Sequence, residues 1–384
     1  MPEAYITATG RCLPGPPVPN DEIDSYLGTV GKHDEVLKKA TLANCGIVNR
    51  HYGINTKQES QVTLAGMAAS AVREALGRSA VSLDDIDYLA AGTSIPDLVM
   101  PGMASLVHAE LRGGPCEIIS TAGVCSAGMM ALKSAYLNIR SGEKRTAVVT
   151  AGEFPSRVLK SSRYAEQAAP AAEGGQGLTK EMAFLRYMLS DGTGAALVQD
   201  RPAPQGVSLR INWISLVSHA SSGPTCMQLG TGPRDDGKSS WWDYPTASDA
   251  SAAGALAMRQ NLALLPHMVR IVVADYARLA GEGRFDPASV TWYAAHYSSE
   301  RLKRSMLKEM AVQGVDTMPA ERWYSNLTRV GNIGSAAIFV ILDELLTTGR
   351  VSAGDQILCM VPESGRFTVS HMLLTAVGPD HIAS

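Results

Sequence analysis

The chain alternates between short apolar runs and longer stretches with apolar residues at helical spacing. Three short runs are typical of strands buried on both faces of a sheet: residues 4–15, 86–94 and 146–153. Between the first two, one face of a predicted helix carries Leu64, Met67, Ala68, Val72 and Leu76, and Gly77 follows as a stop signal. This succession of buried strands and amphipathic helices predicts an α/β fold.

Two blocks of this pattern occur twice along the chain. Residues 84–94 align with 288–298 at an offset of 204 residues, and residues 124–142 align with 331–349 at an offset of 207 residues. Each copy of the second block runs from a glycine-containing turn through an amphipathic stretch to a terminal glycine, and a strand follows. Because the two blocks keep their order and nearly the same offset, the sequence indicates an internal duplication.

The duplication divides the chain into halves of residues 1–204 and 205–384 and relates three polar residues. Cys125 and Asn332 occupy equivalent positions, each at the N-terminal end of the predicted central helix of its half. His296 ends a predicted strand of the second half. Two related halves that pack together are expected to bring these helix starts and strand ends towards one crevice.

Cysteine, histidine and asparagine together suit acyl transfer followed by carbon–carbon bond formation. A thiol at a helix N-terminus is expected to have a lowered pKa, because the helix dipole and the free amide groups favour the thiolate. A thiolate at Cys125 can accept an acyl group from a thioester. His296 and Asn332 can donate hydrogen bonds to the carbonyl of a second thioester and so stabilise its enolate.

Each of the three residues also has an ordinary structural explanation. A cysteine in an apolar stretch is usually a small packed hydrophobe. His296 can be a hydrogen-bonded core histidine, and Asn332 after a glycine can be a helix N-cap. Three residues of the right types at related positions favour the catalytic interpretation over these separate ones.

Composition and charge narrow the classes of function. The 384 residues are 45% hydrophobic and carry a net charge of −3 at pH 7, which fits a globular enzyme and argues against binding to nucleic acid or an anionic membrane. The six cysteines have neither CxxC nor metal-site spacing, so no metal site or disulfide scaffold is expected. The N-terminus lacks a signal-peptide pattern and the longest apolar runs are too short to span a membrane, so we expect a cytoplasmic protein.

Five segments of the chain resemble the ketoacyl-acyl-carrier-protein synthase III family of the thiolase superfamily: residues 92–135, 188–198, 294–302, 330–358 and 363–373. In these segments Cys125 matches the acylated nucleophile of the family, and His296 and Asn332 match the residues that bind the second thioester. Gly365 matches the glycine-rich loop whose backbone N–H completes the oxyanion hole with that of Cys125. The resemblance covers nearly the whole chain and implies a five-layered α/β/α/β/α thiolase fold.

The resemblance also implies a reaction and its partners. An acyl group is expected to pass from a thioester of coenzyme A or acyl carrier protein to Cys125, and a Claisen-type condensation with a malonyl or β-ketoacyl thioester is expected to follow. It implies a homodimer and no metal or redox cofactor. Two alternatives remain open at this point: an acyltransferase with a hydroxyl or amine acceptor, and a non-catalytic partner subunit of another ketosynthase.

The chain departs from the family pattern near the expected site. His296 is followed by Tyr297 and two serines instead of Gln-Ala-Asn, and the glycine-rich loop is reduced to Gly365. Residues 10–28 and 45–54 are more similar to the branch that includes ketosynthases of dialkylresorcinol and related aromatic or pyrone pathways. These features favour secondary metabolism over the initiation of fatty-acid synthesis.

Three further segments have expected roles around the site. Arg301, Arg304 and Lys308 lie on one face of a predicted helix after His296, where they form either a solvated face or a docking surface for an acidic carrier protein or the phosphates of coenzyme A. A loop and helix at 169–188 are expected near the substrate tunnel or a dimer contact. Two aromatic residues of the irregular segment 224–254 are expected to cover the substrate entrance: Trp241 and Trp242.

Overall fold

The computed structural model of the protein describes residues 2–31, 34–164, 178–232 and 238–381. Its strands are β1 (Tyr5–Cys12), β2 (Val18–Pro19), β3 (Asn49–Arg50), β4 (Tyr88–Thr93), β5 (Glu117–Ala122), β6 (Thr146–Glu153), β7 (Gly192–Gln199), β8 (Ser208–Ser218), β9 (Met227–Gln228), β10 (Arg259–Gln260), β11 (Trp292–Ala295), β12 (Trp323–Tyr324), β13 (Gln356–Glu363) and β14 (Thr368–Val377).

The α-helices of the described residues are α1 (Ile23–Leu27), α2 (Asp34–Cys45), α3 (Leu64–Gly77), α4 (Met103–Leu111), α5 (Ala127–Ser141), α6 (Ser156–Leu159), α7 (Lys180–Met188), α8 (Ala247–Ala252), α9 (Leu265–Gly281), α10 (Glu300–Val312), α11 (Leu327–Val330) and α12 (Ala337–Thr347). The strands predicted at 4–15, 86–94 and 146–153 are β1, β4 and β6, and the helix predicted at 64–77 is α3.

Ten strands of the described residues form one hydrogen-bonded sheet with a repeated plan. Their order is β12-β11-β13-β14-β8-β1-β7-β6-β4-β5. Each half contributes five strands in a matching arrangement, counted outward from the central β8–β1 pair. In the first half, β7 is antiparallel to both β1 and β6, and β6, β4 and β5 are parallel to one another. In the second half, β14 is antiparallel to both β8 and β13, and β13, β11 and β12 are parallel to one another. The loop between β7 and β8 contains the expected division at residues 204 and 205.

The helices and the two five-stranded halves of the sheet stack in five layers. One apolar core joins α3 and α4 to the outer face of the first half, and another joins α9 and α10 to the outer face of the second half. The core between them holds α5 and α12 together with strand residues from both halves. The α/β class and the thiolase fold predicted from the sequence are therefore confirmed.

Strand residues alternate between these cores. In β4, Leu89 and Ala91 face the first outer core while Ala90 faces the middle one. In β13, Cys359 faces the middle core and Leu358 faces the second outer core. The strands are apolar at nearly every position because both of their faces are covered, which explains why the sequence shows continuous apolar runs there instead of alternation.

The two halves lie close together where the central helices begin. A Cβ atom built on Gly128, in the first turn of α5, would lie 2.5 Å from the carbonyl oxygen of Ser335 and 2.7 Å from the ring of Phe339. Only a glycine fits at this distance, since a backbone oxygen cannot move aside as the end of a flexible side chain can. Gly128 therefore fixes how near the segment after Cys125 lies to the segment after Asn332.

Candidate active site

Cys125, His296 and Asn332 line one cavity, whose empty volume including its open mouth is about 700 Å³. All three side chains are buried. The rest of the wall is largely apolar, and its apolar residues are Ile95, Val124, Phe154, Pro155, Leu185, Leu189, Met227, Met258, Met268, Tyr297, Leu302 and Pro362. The structure thus brings together the three residues that the sequence singled out, and it surrounds them with surface suited to an aliphatic group.

Cys125 lies in the turn between the end of β5 and the start of α5. The hydroxyl of Thr121 donates a hydrogen bond of 2.8 Å to the carbonyl of Ala127, which connects the end of the strand to the first turn of the helix. Ser126, at the helix N-cap, is fully buried and its hydroxyl lies 3.0 Å from that of Ser370 in the second half. These contacts hold the thiol between the two halves.

The thiol of Cys125 does not have the lowered pKa expected from its helix position. Burial raises the pKa of Cys125 far above its ordinary value, and the negative charges of Glu363 and Glu153 raise it further, while its own backbone N–H opposes the shift. A helix N-terminus contributes at most about 2 kcal/mol, whereas complete burial moves a pKa by several units. Desolvation therefore outweighs the dipole, and the resting group is a thiol.

His296 follows the last residue of β11 and is held through its backbone. Its N–H donates to the carbonyl of Met360 on β13, at 2.9 Å. Burial lowers the pKa of the His296 imidazole to about 4, so the ring is neutral at physiological pH. Within the described part of the chain the ring has no hydrogen-bond partner, which leaves one ring nitrogen free to accept a proton and the other free to donate.

Asn332 lies in a tight turn before α12. Its backbone N–H donates to the carbonyl of Met188 at 3.1 Å, and its carbonyl accepts from the N–H of Ser190 at 2.9 Å. The side-chain oxygen accepts a 3.0 Å hydrogen bond from the N–H of Gly334, so the amide nitrogen is directed away from that turn as a free donor. The glycine before it, Gly331, has a φ of +73° that disfavours any side chain.

Glu153, a residue that the sequence did not single out, lines the same cavity at the end of β6. One carboxylate oxygen accepts hydrogen bonds from the hydroxyls of Ser94 at 2.8 Å and Ser335 at 2.7 Å. Burial raises the pKa of Glu153 to about 7, although these hydrogen bonds oppose the shift. The lining residues include no lysine or arginine that would hold the carboxylate in its charged form.

Gly365 does not offer its N–H to the cavity as expected for an oxyanion hole. That N–H donates to the carboxylate of Glu363, and the Gly365 carbonyl accepts from the N–H groups of Cys226 at 2.7 Å and Met227 at 3.1 Å. Glu363 also accepts from the N–H of Thr368 at 3.0 Å. A carboxylate at position 363 folds back and caps the loop in this structure, and the oxyanion-hole role of Gly365 stays a prediction.

A signal for Glu153 and Glu363 was present in the sequence. The strands 146–153 and 356–363 follow equivalent helices of the duplicated halves, and both end in glutamate. The two carboxylates therefore occupy related positions at the ends of β6 and β13, on either side of Cys125. The alignment of the halves paired these strands, and a comparison of their last residues would have found both acids.

The expected docking residues lie on the exposed face of α10, outside the cavity. Arg301 and Lys308 line a second groove, and Leu302 belongs to the walls of both the groove and the cavity. Arg304 is exposed on the same helix but does not line the groove. These three cations form no ion pair with any residue that the structure describes.

The two irregular segments differ in how they relate to the cavity. Helix α7 of the segment 169–188 places Leu185 in the cavity wall, as expected for a segment near the tunnel, while residues 169–177 lie outside the described residues. Trp241 and Trp242 pack on each other with ring centroids 3.9 Å apart, and Trp242 is 68% exposed. Neither tryptophan lines the cavity, whereas Met227 of that segment does, and the role of the two tryptophans at its entrance stays a prediction.

In the ranges that the structure describes, no group of three or more histidine, cysteine, aspartate or glutamate residues is arranged to hold a metal ion. None of the helices in these ranges is both long enough and apolar enough to cross a membrane.

The raised pKa of Cys125 predicts how its thiol reacts with iodoacetamide. Because only the thiolate reacts, the alkylation rate of Cys125 should keep rising through pH 9 without a plateau. Glu363→Gln removes a negative charge beside the thiol and should shift the profile to lower pH, whereas Glu59→Gln, on an exposed loop, should leave it unchanged. Peptide mass spectrometry after timed labelling measures the rates, and a plateau below pH 8 would show a preformed thiolate.

Known proteins are similar to this chain in sequence and in fold. Residues 282–373 match the family described as 3-oxoacyl-[acyl-carrier-protein (ACP)] synthase III C terminal. The β-ketoacyl-[acyl-carrier-protein] synthase III of Xanthomonas campestris pv. campestris (strain 8004) is 25% identical over 369 residues, covering 96% of this chain and 97% of that protein.

Solved structures show the same fold over almost the whole chain. The tetronic acid condensing enzyme AbyA1 has a TM-score of 0.75 at 21% identity, and the alignment covers 97% of this chain and 99% of that one. OleA of Xanthomonas campestris, in crystals with bound lauric acid and lauroyl-CoA, has a TM-score of 0.74 at 16% identity with the same coverage. The chain is therefore similar in sequence to β-ketoacyl-[acyl-carrier-protein] synthase III proteins over nearly its whole length, and it has the thiolase fold.

Proposed function

We propose that this protein is a condensing enzyme that loads an acyl group from a thioester onto Cys125 and joins it to a second thioester. The observation that carries the proposal is the shared cavity of Cys125, a neutral His296 and the free amide of Asn332. The similarity to synthase III proteins over nearly the whole chain supports the same reaction. Both thioesters carry their own activation, so the proposal needs no metal or redox cofactor.

Loading begins with a thiol, so a base has to accept its proton. The neutral His296 imidazole lines the same cavity and has no partner among the described residues that occupies its nitrogens. The sulfur of Cys125 attacks the thioester carbonyl as the ring takes the thiol proton, and the bond from the carbonyl to the leaving sulfur then breaks. The imidazolium returns the proton to the leaving thiolate, which restores the neutral ring.

Condensation uses the same cavity after the first thiol has left. The carbonyl oxygen of the second thioester accepts hydrogen bonds from His296 and from the amide nitrogen of Asn332, both of which are neutral donors. Its α-carbon becomes a carbanion when a malonyl thioester loses carbon dioxide or when a β-ketoacyl thioester loses an α-proton, and it then attacks the acyl carbonyl on Cys125. A carbon–carbon bond forms and the carbon–sulfur bond to Cys125 breaks. The sulfur then takes up a proton, which comes from solvent after decarboxylation or is the α-proton removed from the β-ketoacyl thioester.

The acyl group is proposed to be an aliphatic chain. Methionines at 227, 258 and 268 and leucines at 185 and 189 form a flexible apolar wall on one side of the cavity. The OleA structure, which shares the fold, was determined with lauric acid and lauroyl-CoA. An aliphatic acyl thioester fits this wall better than a polar one. We place the reaction in secondary metabolism and in the cytoplasm, as the sequence suggests.

We propose that the groove beside α10 docks the carrier of the thioester. Arg301, Lys308 and Arg270 line it, and its lining carboxylate, Glu309, accepts a hydrogen bond from Gln313. Leu302 is shared with the cavity wall, so a carrier in the groove lies next to the site. A phosphorylated or acidic carrier, either coenzyme A or acyl carrier protein, complements these positive charges.

We propose that two copies of the chain pair through β5. This strand is the edge of the ten-stranded sheet, and its one strand partner in the described part of the chain is β4. Ile118 is 39% and Ile119 37% exposed, and the nearby loop carries the exposed Val99 and Met100. An open strand edge with exposed isoleucines invites pairing, and a second copy related by a twofold axis would continue the sheet and cover this surface.

Incubation with a panel of acyl thioesters tests the reaction. Wild-type protein should gain the acyl mass on the Cys125 peptide, Cys125→Ala should gain none, and His296→Ala should load slowly. Asn332→Ala should load normally but form condensation product about 10²–10³-fold more slowly, since it lacks one donor to the enolate. Intact-protein and peptide mass spectrometry measure loading, and chromatography with mass detection measures product.

Other outcomes of that experiment distinguish the alternatives. An ester or amide formed only when an alcohol or amine is added would identify an acyltransferase. The absence of an acyl adduct on Cys125 with every donor would favour a non-catalytic partner subunit and contradict the proposal.

Charge reversal tests the docking groove. Arg301→Glu combined with Lys308→Glu should raise the KM for a carrier-bound thioester about tenfold and leave kcat with a short thioester mimic unchanged, because only the carrier reaches the groove. Arg201→Glu is a matched control, since it lies in the loop after β7, at the opposite end of that strand from the cavity. An equal effect on both substrates would contradict docking.

Analytical ultracentrifugation tests the dimer. The wild-type protein should sediment as a dimer at micromolar concentration, and Ile119→Lys should shift it to a monomer because a buried lysine at the centre of the interface is not compensated. Val36→Lys is the control, because it also replaces an apolar residue with lysine but lies on α2, where Val36 is 66% exposed. This variant should remain a dimer. A wild-type monomer would exclude the pairing.

A further inference from the structure

Glu153 has one carboxylate oxygen that is fixed and one that is largely free. The first accepts from the hydroxyls of Ser94 and Ser335 and from the Ser94 N–H at 3.2 Å. Among the described residues, the hydrogen bond to the second oxygen is a 3.3 Å contact from that same N–H, and the backbone N–H of Ser335 also interacts with the carboxylate. Because Glu153 lines the cavity, its weakly bonded oxygen is available to a substrate there.

Two other buried acids near the cavity lack this feature. Asp191 accepts from the backbone N–H of Gly53 at 2.6 Å and from the N–H of Ser156 at 2.9 Å through different oxygens, and it does not line the cavity. Glu363 caps the loop at Gly365 and Thr368 and is likewise absent from the lining. The hydrogen bonds of Asp191 and Glu363 to backbone N–H groups account for both acids as structural residues. One oxygen of Glu153, in contrast, is only weakly hydrogen-bonded.

The turn that orients Asn332 also makes room for Glu153. Gly334 has a φ of +51°, and a Cβ atom at this position would lie 2.8 Å from the Cγ atom of Glu153. The N–H of Gly334 is the donor that fixes the side-chain oxygen of Asn332. The carboxylate and the amide that would hold the second substrate's carbonyl are therefore placed by one short segment.

We propose that Glu153 is a further catalytic residue, the general base that removes the α-proton of the second substrate, and that this substrate is a β-ketoacyl thioester. The inference rests on the proposed function. A malonyl thioester forms its carbanion by losing carbon dioxide and needs no base, so a base at this place points to a substrate that loses a proton. An α-carbon between two carbonyl groups is acidic enough for a carboxylate.

The burial of Glu153 strengthens it as a base. Its pKa is raised to about 7 by desolvation, so a large fraction is ionised at neutral pH and that fraction holds a proton more tightly than an exposed glutamate does. The groups that surround it are neutral at that pH: the Cys125 thiol and the His296 ring.

The step balances without any further reactant. The free oxygen of Glu153 takes the α-proton, and the electron pair of that C–H bond becomes the enolate held by His296 and Asn332. The enolate carbon bonds to the acyl carbonyl carbon, and the bond from that carbon to the sulfur of Cys125 breaks. Protonated Glu153 then gives its proton to the cysteine thiolate, which returns both groups to their starting forms.

Single-turnover reactions of Glu153→Gln test this role. The glutamine keeps the shape of the side chain and removes a charge that raises the pKa of Cys125, so loading should not become slower, while condensation with a β-ketoacyl thioester should fall about 10²–10⁴-fold. Glu153→Asp, which keeps the charge on a shorter side chain, should recover part of the loss. Loading on Cys125 also verifies that each variant is folded.

The outcomes separate this inference from the proposed function. Failure of the wild-type protein to load would overturn the proposed function. A wild-type protein that loads normally but condenses only with a malonyl thioester would overturn the role of Glu153, as would a Glu153→Gln variant that condenses at the wild-type rate. If the glutamine variant does not fold, deuterium at the α-carbon provides a second test in the wild-type protein: it should slow the single turnover, and equal rates would contradict proton removal by a base.

Discussion

At Gly128 the first turn of α5 lies against the backbone that leads into α12, with no side chain between them. This close approach aligns the two halves, because Cys125 precedes one segment and Asn332 precedes the other. A larger residue at 128 would push the Ser335 carbonyl away and move the Ser335 hydroxyl, which holds Glu153. The positions of the Cys125 thiol, the Asn332 amide and the Glu153 carboxylate thus depend on one glycine in the middle layer of the fold.

Dehydration sets the protonation of the site. Burial raises the pKa of Cys125 and Glu153 and lowers that of His296, so all three move towards their neutral forms. The lining offers no cation to reverse these shifts. A site of this kind holds no ion pair at rest, and a dry, apolar wall favours this because isolated charges are costly there.

The sequence predicted the strands and helices well because their apolar patterns reflect the covered faces of the sheet. It also identified Cys125, His296 and Asn332, since the duplication related two of them and residue type selected the third. It did not reveal features that depend on surroundings: the pKa of Cys125 follows from burial, and the N–H of Gly365 is occupied by a side chain two residues away. The sequence did not single out Glu153, because only the structure shows that this residue lines the cavity. The repeat did contain a signal, since Glu363 ends the equivalent strand of the second half.

The matching strand order of the two halves has a consequence for how the residues of the cavity are distributed along the chain. Cys125 and Glu153 belong to one half and His296 and Asn332 to the other, so neither half alone holds a complete set of reacting groups. A symmetric pair of identical half-length chains would carry the same residue at both helix starts. In a single chain the two starts can differ, and here one carries Cys125 and the other Asn332.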